Sequence, residues 1–368
     1  MGPEDSEEVP EQDQGVSTEG SSPVPVEPLS GAPPRTAYPT RCPVEGVGFD
    51  GWDSDRTDLT LSITELGKPH EDWRSSYLYT EGTDVKVVQY ARTSDDTYTL
   101  TDGSFEGPSA GGCDPDFHAF GYVFTYQNAS IRACDNDSCQ EIEIKEGTNA
   151  LTYAAGGGAV LAATNHGDLL RFDANGWCRM REVEEAQRYE CLDNSPGPDI
   201  EPGMQWYGSV PYGDNSLIAD FPYGAIWLFD GESLSRSKTI DPEKIRSPLG
   251  QEGTSHEAQT LAFYCGALWV GHWPCGELLR FDGENWTKPF SLFSVSEPKP
   301  LMDAATQSGE HVAFLRQRVT GLAVQDGRLL ISTSNLWPAQ TQNDIDLPSN
   351  QLAEYGAIYA ISDERCLQ

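Results

Sequence analysis

The sequence predicts an all-β chain assembled from a repeated unit of short strands. Three observations carry that expectation. Turn formers are abundant, with 36 Gly and 25 Pro in 368 residues, and they alternate with short runs of aromatic and β-branched residues. Apolar spacing of the helical kind, roughly every 3.6 residues, is not sustained anywhere. Its best instances, residues 179–188 and 302–307, are short and polar and read as loop turns. Finally, one pattern recurs: an apolar run, a tight turn, a second apolar run, a loop, a third run and an Asp-Gly or similar turn.

The pattern is plainest in residues 261–286, LAFYCGALWVGHWPCGELLRFDGENW. A second copy is residues 151–177, with strands at 151–155, 159–164 and 169–173 around Gly156-Gly-Gly158. A third is residues 207–231, turning at Asp214-Asn215, and a fourth is residues 321–361, turning at Asp326-Gly327. Asp-Gly and Asp-Asn pairs belong in two-residue hairpins, where the backbone needs positive φ. The equivalent second strands end at Thr164, Asp220, His272 and Thr333, which are 56, 52 and 61 residues apart. A repeat of this length, made of four short strands, is a β-propeller blade.

Two looser units precede these copies. Tyr77-Leu-Tyr79 with residues 85–90 and 97–100 forms one, and residues 117–126, 130–133 and 141–144 form the other. At about 55 residues per unit the globular part holds six blades, with five and seven as the neighbouring solutions. The last copy lacks an outer strand, while residues 59–64 are an orphan strand at the N-terminal side. Placing the orphan on the last blade closes the ring and removes an open edge.

The run Gly266-Ala-Leu-Trp-Val-Gly271, followed by GELLRFDGENW, resembles the repeat of two-component-regulator-type propellers, G-x-L-W-[IV]-G-[TH] then G-G-L-x-R-[FY]-D-G and a Trp. The resemblance covers residues 150–361. It implies the fold and leaves the function open, since such blades serve sensors and polysaccharide-degrading enzymes alike.

Residues 1–40 carry eight acidic residues and one basic one among many Pro and Ser. Such a stretch buries too little to offset its ordering entropy and reads as a disordered linker ahead of a propeller domain at 41–368. It is similar in composition to the tethers of bacterial surface lipoproteins. The net charge of −34 argues against nucleic acid and against docking on anionic lipid. Carboxylate-rich loops at Asp50-Gly-Trp-Asp53-Ser-Asp55 and Asp135-Asn-Asp137 are partial matches to a structural Ca²⁺ loop. No apolar stretch approaches the ~20 residues of a membrane span.

Nine cysteines without a C-x₂-C pair point to disulfides in an oxidising compartment: extracellular, periplasmic or cell-surface, after removal of a leader. Cys134 with Cys139 and Cys178 with Cys191 close local loops. Cys42 and Cys366 are expected to form a clasp where the ring closes. Cys265 and Cys275 flank opposite ends of one strand, which holds them too far apart to bond each other.

Loops on one face of a propeller join second to third strands and one blade to the next. Here they carry His166, Tyr223, His272, Trp273 and Trp337, with Trp206, Tyr207, His256, His311, Arg316 and Arg318 from the connections between blades. Aromatic faces stack on sugar rings and Arg pairs with carboxylate or sulfate, so the face reads as a recognition surface for a carbohydrate. His166, Trp206, Tyr207, Trp273, His311, Arg318 and Trp337 are its expected contacts. As an enzyme, the face would suit a polysaccharide lyase acting on a uronate-containing glycan, with His256 or His272 as base, Tyr223 as acid and Arg316 neutralising the carboxylate. As a metal site, His166, His256, His272 and His311 would converge on a transition ion.

Overall fold

A computed structural model describes residues 60–73, 75–81, 83–89, 96–110, 116–127, 130–144, 151–164, 167–183, 188–191, 204–242, 256–273, 275–293, 317–335 and 354–366, together with Phe49 and Trp52. The expected linker at 1–40 and Cys42 lie outside these residues. Strand β1 is Ser62–Gly67. A first antiparallel meander follows: β2 (Ser76–Glu81), β3 (Asp84–Gln89), β4 (Asp96–Thr101) and β5 (Ser104–Ala110). The second is β6 (Phe117–Ala119), β7 (Tyr122–Gln127), β8 (Ser130–Cys134) and β9 (Cys139–Glu143). The third is β10 (Leu151–Gly156), β11 (Ala159–Thr164), β12 (Leu169–Asp173) and β13 (Gly176–Val183). After β14 (Arg188–Cys191), the fourth is β15 (Gln205–Tyr212), β16 (Asn215–Phe221), β17 (Ile226–Phe229) and β18 (Ser233–Arg236). The fifth is β19 (Glu257–Tyr264), β20 (Ala267–Trp273), β21 (Glu277–Phe281) and β22 (Trp286–Thr287). Finally, β23 (Gln317–Gln325), β24 (Arg328–Asn335) and β25 (Ile358–Ser362) are joined by β1. The chain is a β-propeller, with six four-stranded units among the described residues.

The N-terminal strand does close the last unit. β1 pairs antiparallel with β25, Ile63 opposite Ile361 and Ser62 opposite Ser362. It begins three residues later than the sequence pattern suggests; Leu61 and Ile63 pack into the core between the fifth and sixth units, while Leu66 faces the first.

Inner strands such as β11 and β19 are buried on both faces, which explains why they read as unbroken apolar runs. In β11, Val160 and Ala162 pack towards the second unit, while Leu161 and Ala163 pack towards the fourth. In β20, Leu268 and Val270 face the fourth unit and Trp269 the sixth. The motif's Trp269 is thus a core residue, fully buried, its indole N–H donating to the Tyr264 carbonyl at 3.1 Å. The Asp-Gly turns take the expected shape, with φ of 47° and 81° at Asp102-Gly103 and 49° and 68° at Asp326-Gly327.

Two strands escape the sequence pattern. β5 has the sequence SFEGPSA, whose Gly and Pro look like a loop but are tolerated on an outer edge. β14 bridges the outer strands of the third and fourth units, pairing with β13 on one side and β18 on the other. Residues 179–183 accordingly belong to β13 rather than to a loop turn; their polarity is that of a half-exposed outer strand. Residues 302–307 lie outside the described region.

Disulfides join Cys134 to Cys139 and Cys178 to Cys191, as the loop lengths suggest. Cys366 bonds Cys265, with Cα atoms 5.4 Å apart, and not Cys42. The bond fastens the β19–β20 turn to the 3₁₀ turn Glu364–Cys366 after β25. The fifth and sixth units meet there, Tyr264 donating to the Gly327 carbonyl at 2.8 Å. Cys275 is a buried thiol, as expected not bonded to Cys265, and burial pushes its pKa up. Asp135 accepts from the backbone N–H groups of Asp137 and Ser138, at 2.9 and 2.7 Å. That turn accounts for the acidic cluster expected to resemble a Ca²⁺ loop. No helix among the described residues is long and apolar enough to cross a membrane.

Candidate functional site

The first strand of each unit packs against the first strands of its neighbours: β10 on β15, β15 on β19, β19 on β23 and β23 on β2. β15, β19 and β23 each carry a bulge near their first residues, between Trp206 and Ser209, Ala258 and Thr260, and Val319 and Gly321. A bulge interrupts pairing and re-aims side chains. Gly208 lies in the first of these. A Cβ there would sit 2.9 Å from the Thr260 Cα and 3.1 Å from the Gln259 carbonyl oxygen, so only glycine lets these two backbones approach.

The same end of the molecule collects polar side chains inside the apolar stack. Glu257 and Gln259, at the start of β19, are each 2 % exposed, and Gln317, at the start of β23, is 1 % exposed. Arg318 Nη1 lies 3.1 Å from Glu257 Oε2, and its guanidinium carbon sits 5.0 Å from the Trp273 ring centre. Trp273 in turn lies 6.3 Å from Phe221. Glu257 Oε1, both polar atoms of the Gln259 side chain, Gln317 Oε1 and Arg318 Nε are buried and make no hydrogen bond among the described residues. Leaving such groups unmatched in the native state costs about 1–3 kcal/mol each, so a cluster of them asks for a function.

Beside this cluster, three of the sequence-predicted residues meet. The Tyr223 and His256 backbones form a parallel bridge, and His256 N–H donates to the Pro222 carbonyl at 2.7 Å. The His256 and His272 rings are 5.4 Å apart, centre to centre. Gly224, with φ of 60°, closes the group from the fourth unit; a Cβ there would come within 2.6 Å of His272 Nε2. His272 is fully buried and His256 nearly so, while Tyr223 is 40 % exposed. The two histidines come from one blade, His256 immediately before β19 and His272 on β20 opposite Ala258, rather than from separate blades around the axis.

The other predicted residues divide. Trp206 is core: it is 1 % exposed and packs against Tyr189 and Trp227 at 5.9 and 5.4 Å, so its ring is not available for stacking. Tyr207 is half-buried and donates to Gln205 Oε1 at 2.7 Å. His166, His311, Arg316 and Trp337 lie outside the described residues. Among the described residues no three His, Cys, Asp or Glu side chains form a metal-sized group. Glu257, Gln259 and Gln317 were missed by sequence reasoning. Their signal is faint: polar residues opening runs that are otherwise apolar.

Two ion pairs lie at this end among the described residues. Besides Glu257 with Arg318, Lys288 Nζ contacts Glu277 Oε1 at 2.5 Å, next to His272 in register. Asp220 is also buried, but its two carboxylate oxygens accept from Ala225 N–H at 2.7 Å and Trp227 Nε1–H at 2.8 Å, which makes it a structural brace for the loop that carries Tyr223.

The chain matches no family model and no curated protein. Among solved structures it is similar to a protein of unknown function from Bacteroides thetaiotaomicron, at 12% identity and TM-score 0.41 over 83% of this chain and 77% of that one. It is also similar to YCF48 bound to D1 peptide, at 10% identity and TM-score 0.29 over 83% and 98% of the two chains. A third is a putative oxidoreductase (glucose dehydrogenase) from Thermus thermophilus, at 10% identity and TM-score 0.38 over 82% and 99%.

Proposed function

We propose that this propeller is a recognition module that holds a carbohydrate at the end where β15, β19 and β23 begin. The observation that carries the proposal is the set of buried, unmatched polar atoms on Glu257, Gln259, Gln317 and Arg318. Binding sites combine apolar walls with a few placed polar groups, and a sugar hydroxyl both donates and accepts. Tyr223 adds an exposed ring beside them. The oxidising compartment suggested by the disulfides is where free glycans and surface polysaccharides are met.

A lyase would draw on the adjacency of Tyr223 and His256. It would also need a guanidinium to neutralise the uronate; Arg316, expected in that role, lies outside the described residues, and Arg318 is held by Glu257. Recognition draws on more of the described side chains at this end, and is the reading proposed. Screening the purified chain on an immobilised glycan panel tests it. Binding that is lost in Gln259→Met and retained in an exposed-surface control supports the site, and a blank panel refutes the proposal.

A further inference from the structure

The groups at this site also define the charge of what they can hold. We propose that the ligand is an uncharged, hydroxyl-rich sugar chain rather than a uronate or a sulfated glycan, an inference that rests on the recognition role above. On Glu257, Gln259, Gln317 and Arg318 the unmatched atoms are three acceptors, Glu257 Oε1, Gln259 Oε1 and Gln317 Oε1, and two donors, Gln259 Nε2 and Arg318 Nε; Ser334 Oγ, opposite Arg318 in register, is a further unmatched group able to do either. A carboxylate or sulfate is acceptor-only. It could use the two donors but would oppose the three acceptors, one of them on an anion. Neighbouring hydroxyls of a pyranose each donate once and accept as well, so one ring can satisfy both sets.

Electrostatics points the same way. Among the described residues Arg318 would be the natural anchor for an anion, but Glu257 at 3.1 Å neutralises it, and Lys288 is paired with Glu277. Glu257 is 2 % exposed and the Arg318 side chain 20 %, so the pair is partly shielded from salt. The chain's net charge of −34 adds a repulsive field against any polyanion.

Titration calorimetry on the full chain tests this with matched probes: cellohexaose, maltoheptaose, xylohexaose and mannohexaose against hexagalacturonate, oligoguluronate and a heparin hexasaccharide. A neutral probe should bind at least about tenfold more tightly than any anionic one. Its affinity should change less than about twofold between about 50 and about 500 mM NaCl. A uronate or sulfated probe as the tightest binder, weakening steeply with salt, would overturn the inference while leaving the recognition role standing. Appearance of unsaturated-uronate absorbance on incubation would overturn both, as would silence with every probe. Glu257→Gln supplies an independent arm, since it keeps the side chain's size and leaves Arg318 unneutralised. In the folded variant, checked by its urea transition, anionic probes should gain roughly tenfold. Unchanged discrimination there would remove the ion pair as its cause.

Discussion

Replacing Gln259 by Met should raise stability while it destroys binding. Gln259 is 2 % exposed, sits in the bulge of β19, and neither its amide oxygen nor its amide nitrogen meets a partner among the described residues. A buried amide in that state costs about 1–3 kcal/mol. Met preserves the length of the side chain and adapts its shape, at a repacking cost below about 1.5 kcal/mol. The expected net change is a gain of roughly 0.5–2 kcal/mol, read as a higher urea midpoint at unchanged m value. Glycan affinity should fall at least about tenfold, the worth of one hydrogen bond to a ligand. Asp220→Ala is the matched control. Asp220 is equally buried but fully used, bonded to Ala225 and Trp227, so its removal should destabilise by roughly 2–5 kcal/mol. A Gln259→Met protein destabilised by more than about 1 kcal/mol would show that Gln259 is hydrogen-bonded within the folded chain, and the site would lose its foundation.

Three further outcomes can be checked. Gly224→Ala, at φ of 60° and with its new Cβ 2.6 Å from His272 Nε2, should cost roughly 1–3 kcal/mol and shift the His272 ring resonances; an unperturbed spectrum would mean the loop is looser than described. Cys366→Ser opens a bond that spans a sequence separation of 101, and should lower unfolding stability by about 2–5 kcal/mol in non-reducing denaturant, whereas an unchanged midpoint would assign the Cys265 bond no structural weight. The backbone N–H groups of Asp137, then Ser138, hold the Asp135 carboxyl below its ordinary range. A lowered native pKa means that the turn's stabilisation is complete above the unfolded value of about 3.9 and is lost as pH falls through the folded one. Carboxyl-carbon NMR should therefore place Asp135 below the chain's exposed aspartates, and an ordinary titration would refute the turn.

The repeat was legible because it is a local signal. Apolar runs such as AVLAAT in β11 and ALWVG in β20 are needed wherever a strand is covered on both faces, and Asp-Gly pairs are needed wherever two strands turn back in two residues. Even the closure by β1 followed from counting strands. The less regular outer strands were harder to see: β5 and β14 lie near solvent, where polar residues, Gly and Pro are tolerated and the pattern fades.

The site was only half legible. His256, His272 and Tyr223 could be placed on one face from their position after recurring strands, but not their burial, which depends on how the fourth and fifth units wedge together around Gly224. Trp206 looked like a stacking platform and is core, because β15 presents it to Trp227 of its own unit and to Tyr189 of β14. Glu257 and Gln259 looked like the polar margin of a strand. Side-chain chemistry and local periodicity thus determined the propeller, its turns and two of its disulfides from sequence alone. The tertiary structure decided the Cys265–Cys366 bond, the neutralisation of Arg318 and the unmatched polar cluster, since each depends on residues about 60 to 100 positions apart meeting across packed blades.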